Sequence, residues 1–143
     1  MNDFKDLYEI GEPLSQETYV HATAYLCTEK ATGDAKQVLR FEDNKLSSQN
    51  ESKNLLYDCV LLQQLVHDNI VKTFNFFEKE VDEGECTHYW IVMEPMNQCK
   101  QLLDQIEKKD CYKEADAASV IKAMLGAISY VHGKGQAHGD LRP

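Results

Sequence analysis

The chain of 143 residues lacks the cysteine spacing of a metal site or a disulfide framework. Its five cysteines, Cys27, Cys59, Cys86, Cys99 and Cys111, are odd in number and scattered, with no CxxC pair and no histidines paired at ligand spacing. They read as reduced thiols, and no metal is expected. Long apolar runs are missing too. The start MNDFKDLYEI carries acidic residues where a secretory signal needs a basic region followed by an apolar one. A soluble, cytoplasmic protein is the expectation. Positive charge is scarce: 15 Lys and Arg stand against 24 Asp and Glu, a net charge of -9. Such a chain repels phosphate backbones and anionic lipid, which argues against nucleic acid and membrane as partners. There is no internal repeat, low-complexity tract or linker, and 43% hydrophobic residues suffice for the packed core of one domain or one incomplete domain.

Residues 7–41 alternate apolar and polar in short runs, LYEIGEPL, TYVHATAYLCTEK and AKQVLRF, broken at Gly11-Glu12-Pro13 and Thr32-Gly33-Asp34. This predicts an antiparallel meander of about three strands. A Ser/Asn-rich stretch follows, in which Ser48 and Glu51 form a capping box. Beyond it Leu55, Cys59, Leu62 and Val66 make an apolar stripe on a helix expected to end near His67. IVKTFNFFEKE and THYWIVMEPM read as two further strands joined by the acidic turn VDEGEC. From Asn97 the pattern turns helical, first at Leu102, Leu103 and Ile106, then from Ala117 through Val131, with Gly133 and Gly135 as the stop. The fold class is α+β.

This order, with HDNIV after the first long helix and HGDLRP at the end, resembles the eukaryotic protein kinase superfamily. HGDLRP is similar to the family's HRDLKP, and its proline is typical of the serine/threonine type; the opening YEIGEPLSQETY faintly resembles the calcium/calmodulin-dependent branch. The resemblance implies a partial kinase domain over residues 1–143. Residues 7–96 would form the small lobe and hinge, a five-stranded antiparallel sheet with one long helix. Residues 97–143 would begin the helical lobe and stop inside the catalytic loop. ATP with magnesium is the implied cofactor.

Carried over residue by residue, the resemblance implies an uneven site. The glycine-rich loop corresponds to LSQETYVHA, where Leu14 opens the motif, Ser15, Glu17 and Val20 replace the glycines, Tyr19 is the aromatic and Ala22 the usual valine. Backbone amides approach phosphate closely there only because side chains are absent, and Glu17 adds a like charge. The strand lysine should fall six residues past Gly33, which is Leu39, and the small adenine-facing alanine becomes Gln37. Lys36 and Arg40 lie at odd offsets and point to the opposite face unless a bulge intervenes. The helix glutamate, nine residues before His67, is Asp58. It is expected on the inward stripe, half-buried, as a relic without a cationic partner. Met93 is the gatekeeper, and Glu94, Pro95 and Met96 form a hinge whose backbone groups would hold adenine. In the catalytic loop, Asp140 takes the place of the proton acceptor and Arg142 that of the residue steadying the transferred phosphate. Gly139 replaces a regulatory arginine, and His138 is expected as a buried strut.

Three readings follow: a catalytically inactive kinase-like module acting through protein binding, a divergent ATP-dependent serine/threonine kinase completed by further sequence, or a fragment without activity of its own. Loss of the loop glycines, the lysine and the helix glutamate together favours the first. Nucleotide binding is expected to be weak or absent. A protein partner is expected on the helical surface carrying Val120, Ile121, Met124 and Ile128.

Overall fold

A computed structural model describes residues 3–14, 22–42, 49–81, 86–96, 99–108, 113–139 and 141. The chain forms two compact units, Met1–Gln64 with Lys72–Asn97, and Leu65–Val71 with Gln98–Pro143.

In the first unit a short helix α1 (Phe4–Leu7) leads into β1 (Tyr8–Pro13), β2 (Ala22–Glu29) and β3 (Ala35–Glu42). Helix α2 (Gln49–Gln63), β4 (Thr73–Val81) and β5 (Cys86–Met93) follow. The five strands make one antiparallel sheet in the order β1-β2-β3-β5-β4, the architecture expected of a kinase small lobe. Gly33 turns β2 into β3 at a φ of 77°, a left-handed conformation that costs glycine little.

Both faces of the central strands carry a buried cluster. On one face Val38 and Val92 meet Cys27, Tyr8 and Phe4, all buried. Phe4 stacks on Tyr8 and Trp90 at ring-centroid distances of 5.4 and 4.8 Å and meets Phe77 edge-on at 5.6 Å. This aromatic anchor holds α1, which has no counterpart in the sequence reading because four residues carry no helical period. On the other face Ala24, Leu39, Ile91 and Met93 pack against Cys59 of α2, with Leu55 beside it.

Helix α2 ends at Gln63, before the expected His67. A tightened turn closes it, Gln64 N–H donating to the Leu61 carbonyl at 3.0 Å, and Gln63 Nε2 donates to the Phe74 carbonyl of β4 at 3.1 Å. The far half of the predicted stripe is correspondingly uncovered: Leu62 is 36% exposed and Val66 70%. The capping box at Ser48 lies outside the described residues.

The second unit contains α3 (Leu102–Glu107) and α4 (Glu114–Gly133). Helix α4 ends in a Schellman motif: Gly135 adopts a φ of 74°, its N–H donates to the His132 carbonyl, and the Gln136 N–H reaches back to that of Val131. The segment Leu65–Val71 groups here because the Val66 N–H donates to the Tyr130 hydroxyl at 3.1 Å and the His67 ring lies 5.3 Å from that of Tyr130. No residue of α4 is buried, and Ile121 and Leu125 stand exposed.

The unequal burial along adjacent positions has a direct measure. Ile91→Ala, at a site 4% exposed, should lower the stability of the first unit by about 2 to 5 kcal/mol. Val60→Ala, on the exposed side of α2, should change it by no more than about 0.5 kcal/mol. Urea unfolding followed through Trp90, the single tryptophan, reads both.

Candidate functional site

The site is built on β3, whose alternation divides its side chains between the two faces. Gln37 pairs with Met93 of β5 and Leu26 of β2, and Leu39 with Ile91 and Ala24. The register runs without a bulge through both ladders of this strand. Gln37 and Leu39 therefore share the α2 face, while Val38 lies in the aromatic cluster on the other.

Of the residues singled out from sequence, Leu14, Ala22, Met96 and Leu39 come together. Leu39, 5% exposed, lies in the buried cluster with Ala24, Cys59, Ile91 and Met93, and Leu14, Ala22 and Met96 pack around that cluster. Leu14 is fixed by its N–H donating to the Ala24 carbonyl at 2.9 Å. Glu94 is exposed, and it bonds Lys72 twice. Its N–H donates to the Lys72 carbonyl at 2.9 Å, and its Oε2 accepts the Lys72 N–H at 3.2 Å. Two residues on, the Met96 N–H donates to Gln37 Oε1 at 2.9 Å, and Gln37 is wholly buried.

No cation replaces the missing lysine from a neighbouring position of β3. Lys36 turns to the opposite side, its Nζ 3.6 Å from Asp34 and 3.8 Å from Glu29 and 4.4 Å from the Phe74 ring centroid. Arg40 pairs with Glu42 at 2.9 Å, and its guanidinium lies 5.5 and 5.9 Å from the ring centroids of Tyr25 and Trp90. Its buried Nε has no hydrogen-bond partner, which carries a desolvation cost.

Asp58 is exposed, which corrects the expectation of a half-buried inward carboxylate. The next residue, Cys59, takes the inward place and is fully buried. Burial, with a smaller contribution from the Asp58 carboxylate, pushes the Cys59 thiol from its ordinary 9.0 up to about 12. Burial likewise raises Cys27 to about 11 against the opposing effect of Lys36. Neither thiol is a nucleophile at neutral pH.

Asp140 and Arg142, and the loop holding Ser15, Glu17, Tyr19 and Val20, lie outside the described residues. His138 is exposed, not the buried strut expected. Gly139 has a φ of 78°, a conformation in which the family's arginine would be strained. Among the described residues no three His, Cys, Asp or Glu side chains converge as metal ligands, and no helix is long and apolar enough to cross a membrane.

Sequence reasoning missed the Gln37–Met96 bond and the paired Lys72–Glu94 bonds. A glutamine inside the apolar run of a central strand was the available signal for the first. As they stand, the described residues do not fit Mg-ATP. An apolar side chain occupies the lysine position, and a carboxamide already holds the hinge amide.

A small lobe of this topology, ending in a hinge strand, defines a protein kinase type of domain. Comparison with known sequences agrees: the protein kinase domain family matches residues 20–143. The chain belongs to that family. It is 30% identical to calcium-dependent protein kinase 4 of Arabidopsis thaliana, over 97% of this chain and 26% of that protein. Against calcium-dependent protein kinase 11 of Oryza sativa subsp. japonica the values are 31%, 97% and 23%. Against myosin light chain kinase A of Dictyostelium discoideum they are 29%, 100% and 45%. The chain thus spans about a quarter to a little under half of these relatives. All three relatives are named as kinases, a class that uses ATP and magnesium in general.

Two measurements follow from the thiols. A thiol reagent at pH 8, about one unit below the ordinary thiol value, should label exposed Cys99 and spare Cys27 and Cys59 in the native chain. Because the two buried thiols are raised on folding, the unfolded chain releases their protons first. Their contribution to stability is full below about pH 9 and is lost as pH rises through about 11 to 12. Unfolding midpoints across that range should fall, and Cys59→Ala should flatten the fall.

Proposed function

We propose that this kinase-family domain does not transfer phosphate and acts by binding another protein. The observation that carries the reading is Leu39. A buried aliphatic side chain stands where the resemblance requires a lysine, and both neighbouring cations on β3 are engaged on the other face. Phosphoryl transfer depends on positioning and charge, and a charge-assisted hydrogen bond is worth about 1.5 to 3 kcal/mol. Weak or absent binding of Mg-ATP follows from the same loss. Of the helical surface expected to take a protein partner, Ile121 is exposed while Val120, Met124 and Ile128 are half-buried; with exposed Leu125 beside it, Ile121 would be the point at which a partner docks. Free thiols at Cys27, Cys59 and Cys99 suit a reducing cytoplasm.

The second reading, a divergent serine/threonine kinase completed by sequence outside this chain, draws on Asp140 in HGDLRP and on the names of the relatives. Incubating the purified chain with magnesium, labelled ATP and a basic acceptor protein separates the two. No incorporation above that of Asp140→Ala is expected. Incorporation that disappears in Asp140→Ala would establish the enzyme reading.

A further inference from the structure

We propose that Gln37 is a built-in occupant of the adenine-binding face, its carboxamide taking the hinge amide of Met96 that a nucleobase would need. The proposal deepens the reading of a non-phosphorylating domain and rests on it. It concerns how the domain excludes nucleotide.

Strand geometry places the side chain. Val38 is buried among Phe4, Tyr8, Cys27 and Val92, so with a period of two Gln37 must project from the opposite face of the sheet. There it meets the hinge. The Met96 N–H is a donor, so the group opposing it at 2.9 Å must be the carboxamide oxygen, which settles the amide's orientation. The bond spans 59 residues of sequence and fixes the hinge to the middle of the sheet.

The chemistry matches what it displaces. The hinge of the kinase family holds adenine through backbone amide and carbonyl groups, and adenine offers a ring-nitrogen acceptor beside an amino donor. A primary carboxamide offers the same pair, oxygen beside NH2, on a planar group. Gln37 thus satisfies from within the strand the recognition that a purine would otherwise satisfy. An alanine in its place would leave the Met96 N–H without this acceptor and would leave the volume of the side chain empty. Because Gln37 is completely buried, a purine reaches that amide only after the side chain has rotated away and given up its bond.

Adenosine is the probe, since without phosphates its binding is indifferent to Leu39 and to the charge of Glu17. The readout is the backbone amide resonance of Met96 in the labelled chain. In the wild type it should exchange slowly with solvent deuterium and stay unmoved by adenosine at about 1 mM. In Gln37→Ala it should exchange faster and shift on titration, with adenosine affinity at least about tenfold tighter than in the wild type. Gln37→Met keeps the volume but removes the acceptor, so Met96 should exchange faster while adenosine still fails to bind.

Saturable movement of the wild-type Met96 amide by adenosine overturns the proposal, and so does Gln37→Ala that folds yet gains no binding. Should Gln37→Ala not fold, the wild-type titration and Gln37→Met still decide it. The outcome is separable from the phosphate-transfer assay. Adenosine binding with no transfer removes the occupant and leaves the inactive domain standing. Transfer abolished in Asp140→Ala, with Met96 unmoved by adenosine, does the reverse.

Discussion

Strand β3 lies between β2 and β5 at the centre of the sheet, where both faces carry a buried cluster. Each of its buried side chains is therefore committed to one of two interiors with no freedom to choose. Given that commitment, the identity of two residues sets the character of the α2 face. Leu39 makes it apolar where a cation would stand, and Gln37 places a carboxamide against the hinge. The cations on the same strand cannot substitute, because an odd offset in an unbulged strand sends Lys36 and Arg40 to the aromatic side.

The opposite interior explains how the sheet tolerates those charges. Lys36 and Arg40 rest their stems and cationic heads against Phe74, Tyr25 and Trp90, and acidic partners take the remaining charge. Phe4 packs onto this layer, stacked against Tyr8 and Trp90. A four-residue helix is thus held by ring packing together with its own capping bonds, the Asp3 N–H to Asp6 Oδ2 and the Tyr8 N–H to the Phe4 carbonyl.

The strands were legible from their period-two alternation, and so were the positions of Leu39, Gln37 and the hinge, because each follows by counting from a fixed landmark. What counting cannot supply is phase and partner. Asp58 and Cys59 differ by about 100° around the helix, so both cannot face inward; the stripe of Leu55, Cys59 and Leu62 already named Cys59, and counting back from His67 wrongly added Asp58 to it. The Gln37–Met96 bond joins residues far apart in sequence, and only the pairing of β3 with β5 brings them within reach. Gly139 was legible as a loss of arginine; its positive φ, a property of the folded backbone, was not.

The reciprocal bonds between Lys72 and Glu94 have a bearing on stiffness as well as shape. A carbonyl-to-amide bond and a carboxylate-to-amide bond close a small ring between the entry to β4 and the first hinge residue, and such a ring resists swinging of the main chain. On the inner side the Met96 N–H is held by Gln37 Oε1, so the first and third hinge residues are tied to different strands of the same sheet, and separating them from it costs bonds of two kinds at once.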